Sequence, residues 1–187
     1  RNFVFVRDKI RGIVLRADRV TVDPFGLSAS LEGVSVASRA TPSTPFLTAS
    51  RVEIDAPQHV LLGQAAFDRV RSVDPVIDME RVAPGEPGGE PFRGLGSLRI
   101  GDAVIENLTF LLGGADEARV AVRRVWLRGS GDGPGRIRFE PLSPATLLLE
   151  IADARISFDA LNGSFVMDGG RVVIDRLTAD SDTAHVE

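Results

Sequence analysis

The chain has no cysteine, no tyrosine, one tryptophan and two histidines. Without cysteine there is no disulfide, no thiolate metal site and no thiol nucleophile. His59 and His185 lie far apart, neither in a metal-ligand spacing such as H-x-x-x-H, and both read as ordinary surface residues. No run approaches the ~18 apolar residues that a membrane-spanning helix needs, and no signal peptide is visible. A net charge of −4 with both signs interspersed gives no electrostatic case for nucleic acid. There is no G-x-S-x-G elbow and no Walker loop. The glycine-rich stretches at Gly94–Gly96 and Gly129–Gly135 do not open a helix after a strand, as phosphate binding requires, and both read as hairpin turns. The second also lacks the carboxylate spacing of an EF-hand loop. Carboxylates number 26 but fall singly along the chain. An all-β glycoside hydrolase would need two of them at a defined separation, and the 6% aromatic content supplies few platforms for sugar. That reading ranks last.

What the sequence does have is strands. The word arginine–apolar–any–apolar–aspartate occurs as RVTVD at Arg19–Asp23, RVEID at Arg51–Asp55, RISFD at Arg155–Asp159 and RVVID at Arg171–Asp175. In an extended strand Val20 and Val22 share one face, while Arg19, Thr21 and Asp23 share the other. The charged ends stand about 13 Å apart along the strand, too far to pair with each other, so their partners are water or neighbouring strands. The word describes a half-buried strand.

Strand signals run through the chain. GIVLRADRVTV alternates, Asp23–Gly26 is a turn, and LSASLEGVSVA alternates with a phase slip at Glu32–Gly33 that predicts a β-bulge. FLTASRVEID, AAFDRVRSV and VIDMER follow. After them come LGSLRIG, AVIENLTFLL, ARVAVRRVWLRG and RIRFE. The chain closes as a hairpin around DGG. Short helical turns fit only APQHVLLGQ and the start of LSPATLLLEIADARISF. The reading is all-β. Successive words start 32, 104 and 16 residues apart, which excludes a strict solenoid and permits a sheet extended hairpin by hairpin. Three segments are expected: 1–81, a Pro/Gly-rich loop at 82–94, and 95–187 continuing the same sheet. The abrupt ends suggest a piece of a longer protein. RNFVFVRDKIR fits either a segment resting at a lipid surface or an edge strand with charged gatekeepers. Trp126, between arginines, reads as a strand tryptophan covering the core ahead of an interface anchor.

The pattern LRADRVTVDPFGLSASLEGVSVAS, then PFLTASRVEIDAPQHVLLGQAAFDRVRSVDPVIDMER, resembles the AsmA/TamB-like family. Pro45–Asp55 match its first strand, Leu61–Gly63 its turn, and Phe67–Arg81 its second strand, with Pro75 at the break. LGSLRIGDAVIENLTFLL and ALNGSFVMDGGRVVIDRLTADSDTAHVE are similar to its later strand pairs. The resemblance covers most of the chain as a pattern of apolar positions and glycines. The 82–94 insert is not a family hallmark, and the usual N-terminal membrane helix is absent from this sequence.

The resemblance implies an elongated, curved antiparallel β-sheet, a β-groove whose concave face is lined by apolar side chains. It also implies a periplasmic location, anchored in the bacterial inner membrane by a segment outside this chain. Phospholipid or another acyl-chain lipid is the expected partner, and an outer-membrane barrel a further one through a missing C-terminal part. Transport between membranes is the implied role, with no catalysis, cofactor or metal. The residues support one part of this independently: the strands have a greasy face and no amphipathic helix to cover it. At ~0.8 kcal/mol per buried methylene, a 16-carbon chain in such a groove gains on the order of 10 kcal/mol before ordering costs. The expected lining is Leu27, Leu31, Val34, Val36, Val52, Ile54, Val70, Ile77, Met79, Ile105, Leu108, Phe110 and Leu112. The alternative is a closed β-sandwich, a scaffold or adhesion module that seals its own core and binds a protein partner; it would leave no large apolar patch.

Overall fold

Apolar–polar alternation of period two makes strands, and strands account for all the described helix-or-strand structure. The structure, a computed structural model, describes residues 3–5, 13–57, 66–78, 81, 99–112, 120–133, 136–142, 147–151, 154–168, 171–181 and 185–186. The strands are β1 (Phe3–Phe5), β2 (Ile13–Ala17), β3 (Arg19–Asp23), β4 (Ser28–Ser38), β5 (Pro45–Asp55), β6 (Ala66–Val73), β7 (Val76–Asp78) and β8 (Arg99–Leu112). They continue with β9 (Val120–Gly133), β10 (Arg136–Pro141), β11 (Leu147–Ile151), β12 (Ala154–Phe158), β13 (Ala160–Asp168), β14 (Arg171–Asp180) and β15 (His185–Val186). All join one sheet in the order β1-β2-β4-β5-β6-β8-β9-β10-β13-β14-β15. Strands β3, β7, β11 and β12 prolong β2, β6, β10 and β13 on the far side of a short break.

The all-β reading holds, with one change to the pairing. Strands β6 and β7 run parallel to β8, whereas every other described pair is antiparallel. The sheet is therefore mixed. A parallel pair needs a return connection of a dozen residues or more, and only residues 79–98 separate these strands. The Pro/Gly-rich Val82–Gly94 lies within that connection, outside the described residues, as do most of the two stretches expected to turn helically (58–65 and 143–146).

Turns follow their chemistry. The Asp23 carboxylate accepts hydrogen bonds from the Phe25 and Gly26 amides, both at 3.0 Å. The terminal hairpin pairs Asp168 with Arg171. The stretch Gly129–Gly135 corrects its expectation: Gly129–Gly133 belong to β9, and the chain reverses only after them. Those glycines serve packing. A Cβ on Gly129 would stand 2.7 Å from the Phe139 ring, and one on Gly131 would collide with the Ile100 carbonyl.

One line crosses the sheet at right angles to the strands, and along it the alternation loses phase. Apolar side chains of one face recur every two residues within each strand half, but step by three at this level. The steps run Ala17 to Val20, Leu31 to Val34, Ala49 to Val52, Ile105 to Leu108, Val122 to Val125 and Phe158 to Leu161. Positive φ angles mark the line at Gly33 (61°), Asp74 (50°), Asn107 (57°) and Arg124 (61°). Aspartate and asparagine tolerate this region better than other residues with a Cβ. At Gly33 the expected bulge is absent: Glu32–Arg51 and Val34–Ala49 keep one register, and the left-handed glycine rotates the pleat instead. A small polar network bridges three strands here. Asn107 Nδ2 donates to Asp74 Oδ1 at 2.8 Å, while Ser50 Oγ lies 3.1 Å from Asp74 Oδ2 and 2.9 Å from the Val73 carbonyl.

Candidate functional site

Register turns the separate strand patterns into two apolar rows, one on each side of the phase line. The first runs Leu15, Val36, Leu47, Ile77, Phe110, Val122, Leu149, Ile156. The second runs Val22, Ala29, Ile54, Val70, Ala103, Gly129, Phe139, Phe165, Ile174. Phe139 and Phe165 stack at 5.2 Å within it. Neither row contains a polar side chain. At the usual strand spacing each extends on the order of 35–40 Å.

Burial on this face is deep beside the phase line and in the central strands, where Ala103, Ile137 and Phe139 are also buried, and falls toward the rim strands and the end of β8. Ala17 and Leu108 are 1% and 2% exposed, and Val34, Ala49, Val125 and Phe158 are also buried. At the ends of the same face Val22 is 63% exposed and Leu112 40%. Six of the nine exposed large apolar residues lie on this face (Val22, Leu112, Ile151, Ile156, Ile174 and Leu177), so it is not sealed within the described residues.

Eleven of the thirteen expected lining residues stand on this one face. Leu31, Val52, Ile54, Val70 and Ile105 lie on one side of the phase line, and Val34, Val36, Ile77, Leu108, Phe110 and Leu112 on the other. Leu27 sits in the turn before β4 at φ 50°, half-buried, its carbonyl accepting the Ala56 amide. Met79 lies outside the described residues. The sequence reading missed the contribution of the second half, above all Leu127, Ile137, Phe139 and Phe165, which surround Leu108 or pack against that cluster. The alternation in ARVAVRRVWLRG and RIRFE was the available signal.

From β3 to β8, on one side of the phase line, the opposite face carries a ladder of charge; elsewhere that face buries Asp78, Thr109, Ala121 and Val166. Glu32 takes Arg19 at 3.3 Å and Arg51 at 3.9 Å; Glu53 takes Arg51 at 3.6 Å and Arg71 at 3.2 Å; Arg71 also reaches Glu106 at 2.8 Å. Arg19 and Arg51 of the repeated word thus find a carboxylate, Glu32, on the neighbouring strand β4. The hydrogen bonds from Arg71 to Glu106 and Glu53 raise its pKa above the ordinary value. Trp126 belongs to this wet face, 38% exposed between the inward-facing Val125 and Leu127, and does not cover the core as expected. Among the described residues no cluster of three metal-ligating side chains exists, and no helix is long and apolar enough to cross a membrane.

Glu150 accepts a 2.6 Å bond from Arg123 and lies 3.1 Å from Arg155. The Arg123 hydrogen bond, opposed by partial burial, holds its carboxyl below the ordinary 4.5. A depressed carboxylate stabilises the fold above its unfolded pKa and loses that contribution as pH falls through the folded one. Acid titration of unfolding is therefore expected to show wild type ahead of Glu150→Gln near neutrality, with the gap closing below about pH 4.5. A gap unchanged by acid would refute the assignment.

The chain matches no protein-family model, no curated protein and no solved structure.

Proposed function

We propose that this chain is a non-catalytic segment of an AsmA/TamB-like β-groove that holds or conducts phospholipid acyl chains between the inner and outer membranes of a bacterium. The observation that carries the reading is the pair of unbroken apolar rows, buried or half-buried in the central strands and exposed at the rims of the sheet. A local break in pleating bends a strand, and bends at one level in successive strands would turn a flat sheet into a trough with that line as its floor. An acyl chain laid along the rows would meet only hydrocarbon. With no polar group in either row, the headgroup stays outside in water, and binding is indifferent to its identity. A periplasmic setting, an inner-membrane anchor outside this chain and an outer-membrane barrel partner belong to the same proposal. A self-sealed sandwich scaffold fits less well, because the described strands form one open path from β1 to β15.

The test is native mass spectrometry of protein purified from a bacterial host, with organic extraction of what is bound. Co-purifying phospholipids of several headgroup types are expected. Leu112→Glu combined with Ile156→Glu, both on exposed parts of the face, should lose them while staying folded. A bare wild-type protein that also takes up no fluorescent phospholipid would sink the reading.

A further inference from the structure

The two apolar rows differ in the central strands, away from either end of the sheet. In the first row Leu47, Ile77, Phe110, Val122 and Leu149 are all half-buried, so accessible hydrocarbon runs from β5 to β11. Ile77 stands directly opposite Phe110, and the row crosses the parallel seam without a gap. The second row starts alike, with Ile54 and Val70 half-buried, and then closes. Ala103 and Phe139 are each 6% exposed, and Gly129 is buried between them. The glycine makes the closure possible. The Phe139 ring lies over it, 2.7 Å from the place a Cβ would take, with the Ala103 Cβ and the Ile137 Cγ2 each at 3.0 Å from that place. Phe165 then stacks on Phe139, the centroids 5.2 Å apart. Hydrocarbon following this row from β6 would meet a surface that the protein has already filled.

Polar side chains interrupt the same side independently of that closure. Along β6, residues 68, 70 and 72 alternate onto the apolar face. Ser72 stands between Val52 and Ile105, next to the phase line, and Asp68 lies two residues beyond Val70, exposed. An acyl chain laid over them would take a hydroxyl and a carboxylate out of water without a hydrogen-bond partner. Across the phase line, the same face of β5, β7, β8, β9 and β11 shows only apolar side chains among the described residues. Resting on the lipid-groove reading above, we infer that the bound hydrocarbon follows the first row alone, and that Phe139 closes the second row at β8–β10. One side of the trough then guides the acyl chains, and the other is filled core.

Phe110 and Phe165 stand in different rows on opposite sides of the phase line, so a photoreactive p-benzoylphenylalanine in place of each reports on one row. Protein purified from a bacterial host is irradiated and weighed. A phospholipid adduct is expected at position 110 and not at 165. Removing the block with Phe139→Ala should bring the adduct to position 165. Val70→Glu sets a charge in the second row before the block; it should fold, by circular dichroism, and keep its co-purified phospholipid. Leu112→Glu with Ile156→Glu, on the first row's side, should lose it. Equal adducts at 110 and 165 in otherwise wild-type protein overturn the inference and leave lipid carriage standing. So does loss of lipid from a folded Val70→Glu protein, or a position 165 still unlabelled in folded Phe139→Ala protein. A wild-type protein without lipid removes the groove reading itself, and this inference with it.

Discussion

Leu108→Ala is expected to destabilise the protein by about 2–5 kcal/mol, lowering the melting temperature by roughly 5–15 °C. Leu108 is the largest side chain that is almost wholly buried, on β8 beside the phase line. It belongs to one buried cluster with Ala103 of its own strand, Val125 and Leu127 of β9, Ile137 and Phe139 of β10 and Leu161 of β13. Truncation removes three carbons from that cluster and leaves a void that strands tied on both sides cannot collapse around. Ile174→Ala, on the same face but 62% exposed, should cost under about 0.5 kcal/mol. Thermal denaturation of the two variants decides the matter. Similar losses would mean that the face is not packed more tightly in the central strands than at the rim of the sheet.

Asn107→Ile is the second large effect, about 2–4 kcal/mol. A β-branched side chain at φ 57° is strained, and the 2.8 Å bond to Asp74 disappears with it. Asn107→Gly loses the same bond but relaxes the backbone, so it should cost only about 1 kcal/mol. The difference between the two measures the conformational demand of the phase line at that strand. Equal losses would show that the left-handed geometry carries no weight. If the proposed trough is right, Asn107→Ile should also weaken lipid uptake more than its loss of stability explains, because it alters the bend without touching the apolar rows.

Much of this arrangement was legible in the sequence. Alternation gave the strands; the turn residues gave the hairpins at Asp23–Gly26 and after Asp168. The wide spacing of charges in the repeated word pointed to partners on other strands, and Arg19, Arg51 and Arg155 have them. The apolar face was readable as far as Leu112 because the slip at Glu32–Gly33 was visible in a single strand. What stayed hidden is lateral. The alignment of Gly33, Asp74, Asn107 and Arg124 along one line depends on register, and register joins residues up to dozens of positions apart. Asp74 and Asn107 read as ordinary polar residues until β6 is set beside β8. Gly129 and Gly131 read as a turn because a glycine needed for close approach and one needed for a positive φ are spelled alike. The parallel pairing of β6 with β8 had no local sign, since hairpin signals mark only antiparallel neighbours.

That parallel pairing has a consequence for how the sheet assembles. Up to β7, and again in most pairs from β8 onward, strands are joined antiparallel and can zip outward from a connecting loop, so that each further pair costs little entropy, although β9 with β11 and β10 with β13 enclose longer stretches. The parallel ladders of β6 and β7 with β8 join the two halves, and their residues are 33 apart in sequence at every described pair, Ala66 with Arg99 through Asp78 with Leu111. Contacts of that separation form late, because the chain must be ordered on both sides before they reward it. Each half can zip by itself, and the seam then closes between two largely finished templates. Arg71, bonded to Glu53 on one side and Glu106 on the other, spans that junction and is set to be among the last side chains to lock.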